Sequence, residues 1–402
     1  MNKLTIEDLF PKSRRVLMRV DFNVPLQGGQ VANDQRIRAA LPTIEYLTAK
    51  GAKVILMSHL GRPKGQRIAE MSLRPCVPAL RELLKKEVGF VDDCIGNHVR
   101  AAAEALGDGD VILLENLRYY KQETENDDGF AAKLAQSGEL FVNDAFGAAH
   151  RAHASTEGVT HYFDQCAAGY LMMKELEYLG RVMESPARPF VAILGGAKIS
   201  GKIDVITNLL PKVDRVIVGG GMAYTFYKAQ GKEIGDSLLE EDKVDFAAEL
   251  LEKGADKIML PVDCIVSDKL DFPGRKTGRL KAVDADAIPE GFIGLDIGER
   301  SIKKFRAVLR DAKTIVWNGP MGVFEIEETA KGTYAIAKIL AEATAAGAIT
   351  VIGGGDSASA IDKAGVADRV SHVSTGGGAS LEFIEGKILP GVAALTDKYP
   401  PH

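Results

Sequence analysis

Two lysines behind a pair of glycines are the first residues with evident chemistry. They are Gly195, Gly196, Lys198 and Lys202, within the stretch Arg188–Ile203 (RPFVAILGGAKISGKI). The apolar run Phe190–Leu194 before them reads as a strand. Glycine lets backbone come close to an anion, and a helix that starts there presents unpaired N–H groups. Strand, glycine turn and basic helix start would together cradle a polyphosphate. The spacing follows a P-loop through Gly196, Gly201 and Lys202, but Ile203 stands where Ser or Thr would hold magnesium. The same residues also read as a tight strand-to-helix turn with two surface lysines.

In open α/β sheets ligands sit beyond the carboxyl ends of the strands. The polar residues just after each apolar run are therefore the next candidates. In the first half these are Asp21 and Asn23, His59 and Arg62, Arg118, and then Asp144, His150, Arg151 and His153. Arg36 and Arg38 lie just past the first loop. Each Arg alone reads as a solvated surface charge. Gathered at one end of one sheet, in a chain of net charge −5, they point to a small anion, which the guanidinium fork is suited to hold. In the second half the candidates are Lys198, Lys202, Asn318, Glu325, Asp356 and Ser357, with glycine triplets at 219–221, 353–355 and 376–378. Asp356, after a glycine turn and before a helix, suits a magnesium-bound phosphate. Asp356 or Ser357 would equally serve as the helix N-cap. His98, His161, His372 and His402 read as ordinary structural or surface residues.

These positions need a scaffold of alternating strands and helices. Strands are predicted at Val16–Phe22, Ala52–Ser58, Val111–Glu115 and Leu140–Asn143, with amphipathic helices at Ile37–Ala49, Arg74–Lys86 and Asp127–Gln136. Leu41, Ile44 and Leu47 recur at helical spacing. The second half repeats the scheme, with strands at Phe190–Leu194, Arg215–Val218, Lys257–Leu260, Thr314–Trp317 and Ile349–Ile352. Its helices are predicted at Lys202–Leu210, Asp242–Lys253, Ser301–Leu309 and Glu328–Thr344. Alternation of this kind predicts an α/β fold with mainly parallel sheets. A helical stretch, Leu171–Glu184, runs into Ser185-Pro186 and divides the halves.

Length and composition agree. A chain of 402 residues exceeds one ordinary core. Hydrophobic content of 46% and charged content of 26% are those of a globular protein. The mild negative charge speaks against a general nucleic-acid binder. Cys76, Cys94, Cys166 and Cys264 are scattered without a CxxC pair, which favours reduced thiols and a cytoplasmic setting. No apolar run reaches the length of a membrane span.

Long motifs in order carry a resemblance. Arg19–Pro25 (RVDFNVP), Ser58–Pro63 (SHLGRP), Leu114–Arg118 (LENLR), Asn143–Ser155 (NDAFGAAHRAHAS), Ala192–Ile203, Gly219–Thr225 (GGGMAYT), Leu260–Asp263 (LPVD), Trp317–Glu325 (WNGPMGVFE), Gly353–Ser357 and Ser374–Glu382 (STGGGASLE) resemble those of the phosphoglycerate kinases almost from end to end. The resemblance implies two Rossmann-like three-layer domains joined by a helical hinge. Residues 1–170 would bind 3-phosphoglycerate, 171–187 would form the hinge, 188–389 would bind nucleotide, and the tail 390–402 would fold back on the first domain. Asp21, Asn23, Arg36, His59, Arg62, Arg118 and Arg151 would bind 3-phosphoglycerate or 1,3-bisphosphoglycerate. Gly195, Lys198, Lys202, Gly220, Asn318, Glu325, Gly353, Gly354, Gly355, Asp356 and Ser357 would serve ADP or ATP, with Asp356 on Mg2+.

The implied reaction is in-line phosphoryl transfer in a closed interdomain cleft. The acceptor is an oxyanion already ionised at neutral pH, so no general base is required. Charge on the moving group would be stabilised by Arg36, Lys198, magnesium and the N–H groups at Gly376 and Gly377. The resemblance further implies a cytoplasmic glycolytic monomer without nucleic-acid or membrane partners. Two departures stand out: Gly201 where Asp is expected, and Glu299-Arg300 where Pro-Lys or similar is usual. A nicotinamide-dependent dehydrogenase is the rival enzyme class, against which the missing GxGxxG speaks. A nucleotide-sensing protein without catalysis is the other rival, against which the set Arg36, Lys198 and Asp356 speaks.

Overall fold

Short apolar runs become the central strands of two sheets. The computed structural model describes residues Asn2–Tyr399; Met1 and Pro400–His402, and so the end of the expected tail, lie outside the described residues. In the first half, β1 (Arg15–Arg19), β2 (Lys53–Met57), β3 (Val88–Val91), β4 (Val111–Leu114), β5 (Leu140–Asn143) and β6 (Cys166–Ala168) form one sheet in the order β3-β4-β2-β1-β5-β6. Every pairing in it is parallel. β4 and β5 are buried at every position, as in a strand covered on both faces. The helix Gln35–Ala49 buries Ile37, Ala40, Ile44 and Leu47, while Leu41 of the predicted stripe is only half-buried.

The second half holds β7 (Phe190–Leu194), β8 (Arg215–Val218), β9 (Ile258–Met259), β10 (Asp263–Ser267), β11 (Leu280–Asp284), β12 (Ile293–Ile297), β13 (Thr314–Asn318), β14 (Ile349–Gly353) and β15 (His372–Val373). Six of these make a parallel sheet in the order β9-β8-β7-β13-β14-β15. Taking those six in chain order as 1 to 6, this is the Rossmann order 3-2-1-4-5-6, whose direction reverses between β7 and β13. The other three, β11-β10-β12, form a separate antiparallel sheet.

By contact density the chain divides into one unit running to Glu177 and resumed from Ile388, and a second from Tyr178 to Lys387. The helix Tyr170–Glu184 contains the dividing point. The resumed segment is bonded into the first unit: Leu4 N–H donates to Thr396 O (2.8 Å), Thr396 N–H to Cys166 O (3.0 Å) and Gly391 N–H to Ala149 O (2.9 Å).

The structure departs from the sequence reading at several places. The predicted strand Val16–Phe22 leaves the ladder after Arg19. Val20 N–H still donates to Met57 O (3.0 Å), but past it side chains enter the backbone bonding: Ser58 Oγ accepts from Phe22 N–H (2.8 Å) and Asp21 Oδ1 from Asn23 N–H (3.2 Å). β3, β6, β15 and the antiparallel sheet were not foreseen. β6 (CAA) and β15 (HV) carry no alternating pattern, and only tertiary pairing makes them strands.

Candidate active site

The first unit places its candidate residues at the carboxyl ends of β1, β2, β4 and β5. Asp21 and Asn23 follow β1, His59 and Arg62 follow β2, Arg118 follows β4, and Arg151 follows β5. Arg36 sits in the first turn of the helix Gln35–Ala49 and donates from Nη1 to Asp21 Oδ2 (2.8 Å). Asn23 Oδ1 accepts from Gly61 N–H (2.9 Å), and Gly61 O accepts from Arg118 Nη1 (2.9 Å). Asn116 holds the same loop by bonds to both the N–H and the carbonyl of Leu60 (3.2 and 2.7 Å). The loop bearing Arg62 is thus tied at three points, while Arg62 itself is exposed. Arg151 is exposed and donates from Nε to His150 Nε2 (3.2 Å).

Below this rim lies a buried polar chain. Arg19 is 0% exposed. It donates to Ser155 Oγ (2.8 Å), to Val20 O, and from Nη2 to His59 Nδ1 (3.0 Å). The Ser155 hydroxyl in turn donates to Glu123 Oε1 (2.6 Å), and Glu123 Oε2 accepts from Ser155 N–H (3.0 Å). Burial, reinforced by Arg19, Arg118, Arg36 and His153, drives the His59 pKa well below its usual value. Burial and then Arg118 and Arg19 lower that of His153 to about 4. Both imidazoles are therefore neutral at physiological pH, and the positive charge of this end comes from arginine.

Asp144, just past β5, is buried, and its Oδ1 accepts from Met172 N–H (3.1 Å). Burial raises its pKa from 3.8 to about 6 against the opposing bonds of Thr43, Met172 and Leu171. Between about pH 4 and 6 the folded chain keeps a proton that the unfolded chain has lost. Asp144's contribution to stability is therefore whole below that window and is lost as pH rises through it. Asp144→Asn removes the effect. Its stability relative to the parent should rise by up to about 3 kcal/mol between pH ~4 and pH ~8. Urea unfolding at the two pH values measures this, and a pH-independent difference refutes it.

In the second unit the half-site lies at the reversal between β7 and β13. Gly195 follows β7, and its N–H donates to Asn318 O (2.9 Å). A Cβ on Gly195 would collide with Pro320 O and sit 2.6 Å from Gly319 O. One on Gly220 would sit 2.5 Å from Gly196 O. These two glycines are required by backbone meeting backbone. Gly196 and Gly355 instead face open space. Lys202 Nζ donates to Asn318 Oδ1. Burial lowers the Lys202 pKa, against the charges of Asp356 and Glu385. Asn318 is 1% exposed, and its Nδ2 has no hydrogen-bond partner. That amide lies over Gly353 and Gly354, whose Cβ atoms would come within 3.4 and 2.9 Å of it.

The remaining second-unit candidates are placed as follows. Lys198 and Asp356 are exposed, and Glu325 is half-buried on the loop after β13. The N-cap of the helix Gly355–Lys363 is Gly354, without a side-chain capping bond. The N-cap reading of Asp356 and Ser357 thus falls. Ser357 Oγ instead accepts from Gly319 N–H (2.6 Å). Gly376 is buried with its N–H donated to Ser374 Oγ (3.1 Å), and Gly377 has φ +51° beside open space.

Gly201, in the 3-10 turn Ser200–Lys202, has neither a positive φ nor a close neighbour. No steric demand keeps it glycine. Gly201→Ala should stabilise the second unit by about 0.4–1 kcal/mol by restricting the unfolded chain. Denaturant melts check this, and a loss of stability contradicts it.

Sequence reasoning that searched only beyond strand ends passed over Arg19, Glu123 and Ser155. An arginine closing the apolar run Val16–Met18 was the available signal for Arg19, because a buried charge needs a partner.

A model of the family described as phosphoglycerate kinase matches residues 6–387. The chain is 58% identical over 400 residues to a phosphoglycerate kinase of Chloroherpeton thalassium, covering 99% of this chain and 100% of that one. It is 56% identical over 404 residues to that of Rippkaea orientalis, covering 99% and 100%. Among solved structures it resembles phosphoglycerate kinase from Coxiella burnetii, with TM-score 0.88 and 42% identity over 98% of both chains. That from Pyrococcus horikoshii gives TM-score 0.83 at 34% identity, again over 98% of both chains. This chain belongs to the phosphoglycerate kinase family, enzymes of glycolysis that transfer a phosphoryl group reversibly from 1,3-bisphosphoglycerate to ADP.

Proposed function

We propose that the two units divide the reaction between them. Residues 1–170 hold the phosphoglycerate, with the tail from 390 as part of that domain. Residues 188–389 hold the nucleotide, and 171–187 act as the hinge. Asp21, Asn23, Arg36, His59, Arg62, Arg118 and Arg151 bind 3-phosphoglycerate or its acyl phosphate. Gly195, Lys198, Lys202, Gly220, Asn318, Glu325 and Gly353–Ser357 serve ADP and ATP. The observation that carries the nucleotide assignment is the buried Asn318 Nδ2, an unspent donor above a glycine turn at the sheet's reversal point. A phosphate oxygen would satisfy it.

Asp356 fits a magnesium that travels with the nucleotide. Among the described residues no cluster of three His, Cys, Asp or Glu side chains could hold a metal alone. Magnesium characteristically takes one or two carboxylates, with substrate phosphates completing its shell. When bound there it would neutralise phosphate charge. Catalysis by the chain itself is positioning and charge stabilisation. Arg36 and Lys198 meet the charge of the moving phosphoryl, and Lys202 holds the nucleotide phosphates. Gly377 assists, and Gly376 does so once its N–H leaves Ser374. The attacking oxygen is already ionised, so the neutral histidines need take no proton. Transfer requires both sets of ligands on one phosphoryl group.

Among the described residues no helix is long and apolar enough to cross a membrane. A cytoplasmic monomer acting without nucleic acid completes the reading. Calorimetry tests it. Arg62→Ala should weaken 3-phosphoglycerate binding at least about tenfold and leave ADP binding unchanged, while Lys202→Ala does the reverse. Crossed or absent effects overturn the division.

A further inference from the structure

His59 is neutral, and a neutral imidazole can hold its single proton on either nitrogen. Which nitrogen carries it decides what the ring can offer a ligand. The partner at Nδ1 is the guanidinium of Arg19, 3.0 Å away. A guanidinium has five N–H donors and no acceptor. Nδ1 must therefore accept, and the ring's proton resides on Nε2. Protonating the ring would set two donors against each other at Nδ1, so the same contact excludes the imidazolium. No hydrogen bond from a described residue engages Nε2.

Arg19 is itself held for this task. It is fully buried, and its donors are directed by Val20 O, Ser155 Oγ and His59 Nδ1. The Ser155 hydroxyl donates its hydrogen bond to Glu123 Oε1, so its lone pairs face Arg19. Donation diverges from Arg19, through Ser155 to Glu123 on one side and to His59 on the other: the carboxylate orients the serine hydroxyl, the serine fixes the arginine, and the arginine sets the imidazole. The cationic and titratable groups acting on His59 are Arg19 of β1, Arg36 of the first helix, Arg118 after β4 and His153 after β5. The nearby carboxylates, Asp21 and Glu123, act on Arg19.

We propose that Arg19 is a positioning residue for the substrate: by donating to Nδ1 it confines the His59 proton to Nε2, which then donates to an anionic oxygen of phosphoglycerate. This rests on the assignment of His59 to the substrate. The ring then serves as a neutral donor of fixed direction among arginines, and its donation does not vary with pH in the physiological range. A histidine free to exchange tautomers would present a bare lone pair to the anion for part of the time.

The test is nitrogen NMR of the full chain with 15N-labelled histidine, across about pH 5–8, with and without 3-phosphoglycerate. The expected result is an unprotonated Nδ1 and a protonated Nε2 for His59 throughout. A protonated Nδ1, or a doubly protonated ring, overturns the proposal without any variant, so a folding failure in a mutant cannot hide the answer. Arg19→Met should release the tautomer, giving His59 a mixture of Nδ1- and Nε2-protonated rings. It should also raise KM for 3-phosphoglycerate by about tenfold to a hundredfold with kcat nearly unchanged. Arg19→Lys, which keeps a donor, should restore the tautomer and most of the affinity. The signals of the other six histidines report whether the fold is intact. If 3-phosphoglycerate leaves His59 Nε2 unmoved in the parent protein, the substrate assignment fails and takes the proposal with it. If Nε2 responds but the tautomer persists without Arg19, the proposal alone fails.

Discussion

Replacing Arg36 with methionine should lower kcat by on the order of 10³-fold or more, while the affinity for ADP should stay at the parent value. The size follows from the role proposed for Arg36. A cation facing the transferring phosphoryl acts on charge that is greatest in the transition state, so its loss falls on kcat. The specificity follows from place: Arg36 stands at the sheet end of the first unit, and the nucleotide candidates all belong to the second. Arg36 is also the ion-pair partner of Asp21, so removing it leaves a buried carboxylate uncompensated. Arg36→Lys separates the two effects. It restores a charge beside Asp21 but not the planar fork, and should recover stability more fully than turnover. Steady-state kinetics with calorimetry of ADP decides the matter. Near-normal turnover in the methionine variant removes Arg36 from the mechanism.

Gly195→Ala should cost the second unit about 3 kcal/mol or more, and weaken ADP at least about tenfold. The added methyl meets the carbonyls of Pro320 and Gly319, which are backbone and cannot rotate away. Those carbonyls belong to the turn leaving β13, and β13 is locked to β7 in register, Leu194 opposite Asn318. Relief of the clash must part the two strand ends, carrying off Asn318 and the lysine bonded to it. Denaturant unfolding and ADP titration give both numbers. The stabilisation expected of Gly201→Ala, a few residues along the same loop, makes the pair a test of sign as well as size. Parent-like stability in Gly195→Ala would refute the packing argument.

That pair of glycines also shows how far the sequence can be read. Both look like loop glycines beside a phosphate site. Only the structure reveals that one is pinned between backbones and the other is free. The polar candidates beyond β1, β2, β4 and β5 were legible, because strand ends recur after apolar runs and the fold gathers them. The alternating strands that carry them were legible for the same reason. Arg19 was not, since its meaning lies in Ser155 and His59, far away along the chain. Asp356 and Ser357 looked alike as helix caps, yet Ser357 turns inward to Gly319 N–H and Asp356 stays in solvent. The antiparallel strands Asp263–Ser267, Leu280–Asp284 and Ile293–Ile297 were missed outright. The middle one is exposed along most of its length, so no buried stripe marks it.

The first unit is written in two pieces. Its strands are complete by Ala168, yet Leu4, Ala149 and Cys166 wait for partners at Thr396 and Gly391. A ribosome adding about 5–20 residues per second delivers that closing segment roughly 10–40 seconds after Glu177. Throughout that interval the nascent sheet stands with an unfinished margin, and the whole second unit is synthesised before the first can be sealed. The order of manufacture is therefore the reverse of what the order of residues suggests: the unit begun first is the one finished last.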